Sequence, residues 1–162
     1  MYSPDDKEAV DGVVMKVQVM RKTDTAREHD IIFTDRGVLF VLVSRALMVG
    51  ARHGIPNGIS SGIGGALGIV IRAAIGPATP HTNEKAREKY GGLTLKQIME
   101  NDENNFYLPH LSINAVAVKK RLMGTCGMNF ETTEGKIQCE FPKDLLNEVR
   151  EIVNVRLGSR LS

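Results

Sequence analysis

Hydrophobic residues recur at every second position in several short stretches of this chain, a pattern that no long helix can accommodate. Near the C-terminus, Ile137, Cys139 and Phe141 alternate with polar neighbours. A period of two is typical of strands that bury one face. The same period occurs over residues 10–20, where the predicted core face carries Val13, Met15, Val17 and Val19.

Seven stretches of this kind predict an antiparallel β protein. Glycine turns at Gly37 and Gly135 join two pairs of them as hairpins. Residues 38–43 are apolar without interruption, so we expect the third strand to be covered on both faces. The predicted strands span 10–20, 29–34, 37–43, 105–108, 115–122, 127–132 and 136–141, with Val116, Val118 and Leu122 sharing a face of the fifth.

A single helix is predicted at the C-terminal end, over residues 142–157. Pro142 stands at its start and Gly158 just past its end, the asymmetry expected of helix termini. The residues that should face the core are Leu145, Val149, Ile152 and Val153. A chain of 162 residues fits one α+β domain, residues 1–162, with residues 44–103 as an insertion after the third strand.

Two short helical patterns follow the glycine-rich part of the insertion. Residues 82–90 end at Gly91-Gly92, which is typical of a helix stop. Thr94 and Gln97 have the spacing of a capping box that opens the second helix.

The first part of the insertion is a glycine-rich apolar tract, residues 58–76. Small residues recur every four positions, which on a helix lets another backbone approach closely. We favour a helical hairpin packed on the sheet or on another subunit, and keep a shallow membrane dip and a full span as alternatives. The candidate residues for self-association or membrane contact are Gly58, Gly62, Gly64, Gly68, Leu67 and Ile71.

Two segments resemble a known family. Residues 30–41 (DIIFTDRGVLFV) look like the second hairpin of bacterial and archaeal pleckstrin-homology-like domains, which often carry a Thr-Asp-Arg turn between apolar strands. Residues 105–113 (NFYLPHLSI) are similar to the fourth-strand segment of those domains. The resemblance implies a seven-stranded antiparallel barrel or sandwich capped by a C-terminal helix, and a binding or scaffold module often found near membranes.

Basic residues cluster near two strand ends. Arg21, Lys22 and Arg27 flank the connection after the first strand, and residues 119–121 end the fifth. The resemblance places the first connection at the open end of the barrel, where anionic headgroups can bind. The alternatives are a solvated polar rim and a surface-binding site made of Arg21, Lys22, Arg27, Lys119, Lys120 and Arg121.

Other chemistries lack their sequence signals. A net charge of +2, an aromatic content of 5% and the lack of tryptophan argue against nucleic-acid binding. Neither the histidines nor the two cysteines have metal-ligand spacing, and we expect Cys126 and Cys139 to be buried free thiols. No pattern suggests a nucleotide loop or a catalytic nucleophile, so no cofactor is expected.

The sequence therefore predicts a non-enzymatic binding or scaffold module. Its expected partner is an anionic membrane surface or a protein, and a homo-oligomer is expected. The alternative is a structural homo-oligomer assembled through the glycine-rich insertion without a small ligand. The polar first ten residues carry no secretory pattern, so we expect a cytoplasmic protein, with peripheral membrane attachment left open.

Overall fold

The computed structural model describes residues 2–22, 25–43, 85–86 and 88–162. In these ranges seven strands form one antiparallel sheet in the order β4-β3-β2-β1-β7-β6-β5. The strands are β1 (Val10–Arg21), β2 (Arg27–Thr34), β3 (Gly37–Leu42), β4 (Phe106–Pro109), β5 (Ile113–Lys120), β6 (Thr125–Thr132) and β7 (Gly135–Pro142). Two helices, α1 (Leu95–Glu100) and α2 (Leu146–Leu157), complete the regular elements described, apart from short 3-10 turns and helical residues at 85–86 and 88–90. The predicted α+β architecture is thereby confirmed.

The sheet bends over on itself. Phe40 on β3 and Phe130 on β6 make an edge-to-face contact with ring centroids 5.7 Å apart, although β2, β1 and β7 lie between their strands. A flat sheet would separate these rings by about 19 Å, since neighbouring strands are about 4.8 Å apart. The main core therefore lies inside the curve of the sheet.

Helix α2 closes one side of this core. Its buried face carries Val149, Ile152 and Val153, as the helical spacing predicts. Ile152 lies directly against Gly12 of β1, where an added Cβ would come within 2.7 Å of its Cδ1 atom. A side chain at position 12 would therefore force the Ile152 side chain to move.

Strand β1 contains an irregularity that changes which side chains face the core. Its pairing with β2 shifts register between Val14 and Val17, and Lys16 adopts a φ of 57° within the shift. An extra residue in one strand moves the following side chains to the opposite face. Val17 and Val19 therefore lie in the main core, whereas Val13 and Met15 lie on the opposite, outer face of the sheet. The prediction that these four residues share one face is wrong.

The outer face of the sheet is also covered. Leu39 and Val41 of β3 point away from the main core into a second apolar cluster, while Val38 and Phe40 point into the main core. The predicted coverage of β3 on both faces is confirmed for residues 38–41. The second cluster is completed from segment 85–99 by Ala86, Tyr90, Leu95, Ile98 and Met99.

Helix α1 begins where the sequence predicts. The Thr94 hydroxyl accepts from the Gln97 N–H at 3.1 Å, and the Gln97 side chain accepts from the Thr94 N–H at 2.9 Å. This reciprocal capping box fixes the chain entry into α1. Through Tyr90, Leu95, Ile98 and Met99, the residues before and within α1 pack on the outer face of the sheet.

Candidate functional site

The six predicted basic residues lie in two separate places. Arg21 ends β1 opposite Ile137 of β7, whereas Lys120 ends β5 opposite Cys126 of β6, which pairs in turn with Phe141. Ile137 and Phe141 are four residues apart along β7, which is about 13 Å. The structure therefore brings Arg21, Lys22 and Arg27 together and places residues 119–121 at another end of the sheet.

The first group lies at what we call the open end, where β1 ends, β2 begins and the β6–β7 turn of residues 133–134 is found. Antiparallel pairing brings these ends to one edge, because each strand reverses the direction of its neighbour. A cleft of about 290 Å³ opens there. Its polar lining is Arg21, Lys22, Lys136, Glu103, Glu134, Asn105, Ser112 and Thr132.

Arg21 rests on an aromatic surface at this cleft. Its guanidinium carbon lies 4.0 Å from the ring centroid of Phe106, within the range of a cation–π contact. Phe106 stacks in turn on Phe40, with centroids 4.4 Å apart and an interplanar angle of 8°, and Phe40 contacts Phe130. A column of rings thus runs from the core to the cleft and supports the cation at its outer end.

A second cleft of about 340 Å³ adjoins the first, and Arg21, Glu103 and Phe106 line both. Arg27 and His29 line its other side. The Arg27 guanidinium donates to Oδ1 of Asn104 at 3.4 Å, a long and therefore weak hydrogen bond.

His29 is buried beside the aromatic column. The carbonyl of Arg27 can only accept, so Nδ1 of His29 carries the proton of their 2.9 Å hydrogen bond. Burial is the main cause that lowers the pKa of His29 below 6.5, and the charges of Arg27 and Arg21 act in the same direction. The ring is thus a neutral wall of the second cleft at pH 7.

The two clefts carry more cations than carboxylates. Arg21, Lys22, Arg27 and Lys136 line them on the positive side, and Glu103 and Glu134 on the negative side. Lys136 is engaged by Glu131 at 3.2 Å. Among the described residues, no ion pair is found for Arg21, Lys22 or Arg27. These three cations are available to an anion at the open end.

The second basic group belongs to what we call the β5–β6 tip, residues 119–124. Arg121 is engaged within the protein: its guanidinium contacts Glu140 at 3.3 Å and lies over Gly127, where a Cβ would come within 2.4 Å of Nε. Lys119 and Lys120 are exposed. Leu122 follows β5 and is 89% exposed, so its predicted place on the core face with Val116 and Val118 is wrong.

The remaining predictions concern the glycine-rich tract, the two cysteines and metal binding. The glycine-rich residues Gly58, Gly62, Gly64, Gly68, Leu67 and Ile71 lie outside the described residues. Cys126 and Cys139 are buried free thiols, as predicted. No group of three or more potential metal ligands occurs among the residues that the structure describes.

Sequence reasoning missed the residues that shape the open end. Phe106, Glu103, Asn104 and His29 belong to the two clefts, yet none was predicted as a site residue. An aromatic residue that opens a strand after a polar run gives no indication that a distant arginine will rest on it. The fold supplies that contact.

No protein-family model matches the chain, and a search of curated proteins finds no significant match. Of the helices within the described ranges, none has the length and apolar character needed to cross a bilayer.

Proposed function

We propose that this chain is a non-enzymatic binding module of pleckstrin-homology-like type, whose open end binds an anionic membrane surface. The strand order, the bent sheet and the C-terminal helix support the pleckstrin-homology-like part of the proposal. In this proposal residues 44–103 are an insertion in that fold, between the end of β3 at Leu42 and the start of β4 at Phe106.

The main support for the proposal is the cation–π contact between the Arg21 guanidinium and the Phe106 ring. A guanidinium stacked on a ring keeps the N–H groups at its edge free for oxygen acceptors such as phosphate or carboxylate. Because Phe40 fixes the Phe106 ring, the Arg21 side chain that rests on this ring loses little further entropy when an anion binds. Arg21 is thus preorganised at the junction of the two clefts.

Two more cations extend this surface. Lys22 and Arg27 stand on either side of the β1–β2 connection and are both exposed. Each cation near an anionic bilayer contributes roughly 1 kcal/mol of attraction. Glu103 and Glu134 reduce this attraction, so we expect binding that is moderate and sensitive to salt.

A charge-matched pair of variants tests the proposal. The open-end variant combines Arg21→Gln, Lys22→Gln and Arg27→Gln. The control combines Lys7→Gln, Arg36→Gln and Arg150→Gln, three exposed cations. Arg36 lies in the β2–β3 turn and pairs with Asp5, Lys7 is two residues from Asp5, and Arg150 lies on α2. Both variants lose three positive charges, so a general electrostatic effect weakens them equally.

The measurement is flotation with vesicles that contain acidic phospholipid. We expect the open-end variant to bind roughly a hundredfold more weakly than the wild type, and the control to change by less than about tenfold. Equal losses in the two variants would show that net charge, and not the open end, governs binding.

A further inference from the structure

The β5–β6 tip presents two large apolar side chains to solvent. Leu122 is 89% exposed and Met123 is 99% exposed. They stand side by side at the turn of a hairpin, shortly after the exposed lysines Lys119 and Lys120. Burying apolar surface is a main source of folding stability, so adjacent exposed apolar residues in a loop suggest a contact surface.

The backbone of the tip holds these side chains in place. The Arg121 N–H donates to the Thr125 carbonyl at 3.0 Å, and the Lys143 N–H donates to the Gly124 carbonyl at 3.1 Å. The Arg121 side chain also crosses β6 to reach Glu140 on β7. The turn is therefore tied to two neighbouring segments of the protein.

Met123 occupies an unusual backbone position for its residue type. Its φ is 65°, a region that glycine and asparagine adopt more readily than methionine. A polar residue at this site would suit both the backbone and the solvent better. The folded chain gains no packing from the methionine side chain, which points to a gain that arises on binding.

We propose that the β5–β6 tip inserts Leu122 and Met123 into the interfacial region of an anionic bilayer. The lysines and the apolar pair fit this partner together, since the cations match acidic headgroups while the apolar side chains match the acyl boundary beneath them. The inference rests on the proposed function for its choice of partner. It uses a different end of the sheet and makes an apolar contact that the open end does not provide.

The first test compares matched leucine variants in vesicle flotation. The tip variant is Leu122→Gln with Met123→Asn, because asparagine tolerates the positive φ and keeps the turn intact. The control is Leu111→Gln, since Leu111 is 91% exposed, lies outside the tip and lines neither cleft of the open end; it follows His110, whose N–H donates to the Arg36 carbonyl at the β2–β3 turn. The expected result is at least about a tenfold loss of binding for the tip variant and none for the control.

The second test uses the lack of tryptophan in the chain. Leu122→Trp introduces a unique fluorophore at the tip, and Leu111→Trp introduces an exposed one outside the tip, which should not be quenched. When vesicles with acidic lipids are added, the emission of the tip fluorophore should shift to the blue and be quenched by lipids brominated along their acyl chains. Quenching at the tip that persists in high salt after binding would support apolar insertion.

The outcomes separate the two proposals. If the wild type and the tip variant float equally well, and the Leu122→Trp fluorophore is not quenched, insertion at the tip is excluded while binding at the open end stands. If the tip variant fails and the open-end variant binds normally, the tip is the contact and the open end is not. If the wild type does not float with anionic vesicles, both proposals fail. A mass that rises with concentration for the wild type but not for the tip variant, without flotation, would assign the tip to a second copy of the chain instead.

Discussion

The hydroxyl of Tyr90 donates to Oδ2 of Asp30 at 2.5 Å, and this contact ties the segment before α1 to strand β2. Asp30 is fully buried, and Oδ2 also accepts from Nζ of Lys89 at 2.5 Å. Its other oxygen accepts from the N–H of Lys16, at the irregularity in β1, at 2.9 Å. One buried carboxylate therefore joins β2, the irregular part of β1 and the segment before α1.

Removing the Tyr90 hydroxyl should weaken the attachment of the segment before α1 to the sheet. We expect Tyr90→Phe to lower the free energy of unfolding by about 1.5–3 kcal/mol, because it deletes a buried hydrogen bond to a charged acceptor. Asp30→Asn should lower it by about 3 kcal/mol, because Lys89 then loses its charge partner. Urea unfolding measures both values. Tyr2→Phe, at an exposed position, is the control, and an equal effect of Tyr2→Phe and Tyr90→Phe would contradict the account.

The stability of the protein should fall as the solution becomes acidic below pH 6.5. Burial lowers the pKa of His29 and of His110, so the unfolded chain binds protons on these residues more readily than the folded chain does. The two neutral histidines make their full contribution to the free energy of unfolding above pH 6.5. This contribution is lost progressively as the pH falls towards the pKa values that the histidines have in the folded chain. We expect a lower free energy of unfolding at pH 5.5 than at pH 7.5.

A histidine variant assigns this pH dependence. In His29→Gln the amide can still donate to the Arg27 carbonyl but cannot take up a proton. The difference in unfolding free energy between pH 7.5 and pH 5.5 should therefore be smaller in this variant than in the wild type. An unchanged difference would show that burial of His29 does not govern the acid sensitivity.

The two thiols should react only when the chain unfolds. Cys126 and Cys139 are buried in the main core, and burial raises the pKa of Cys139, so little reactive thiolate forms. We expect slow labelling by an aromatic disulfide reagent in native buffer and rapid labelling of both thiols in concentrated urea. Leu122→Cys is the positive control, because it adds an exposed thiol at the β5–β6 tip. Fast labelling of the wild type under native conditions would contradict the described burial.

Local patterns in the sequence were sufficient to predict the seven strands and the two helices of the described residues. The unbroken apolar run at residues 38–41 indicated a strand covered on both faces, and the Thr94 and Gln97 pair indicated the start of α1. Both signals act over a few residues, through burial or through a cap. They do not depend on how distant segments meet.

Features that depend on one extra residue or on tertiary contact were not predictable in this way. The register shift beside Lys16 reverses the faces of β1, and the alternating sequence contains no sign of it. Leu122 continues the apolar pattern of β5, but the strand ends at Lys120 and the chain turns away from the core. The contact of Arg21 with Phe106 joins residues that meet only because the sheet bends.

Vesicle flotation of the wild-type chain shows most directly whether this protein binds an anionic surface. The comparison is between neutral vesicles and vesicles with acidic phospholipid, each at low and at high salt. Flotation with the acidic vesicles at low salt, and little with the neutral ones, is the predicted result. Salt should weaken this binding, because exposed charges are screened beyond about 10 Å at 0.1 M salt. Equal flotation with both kinds of vesicle, or none with either, would contradict the proposed binding of an anionic surface.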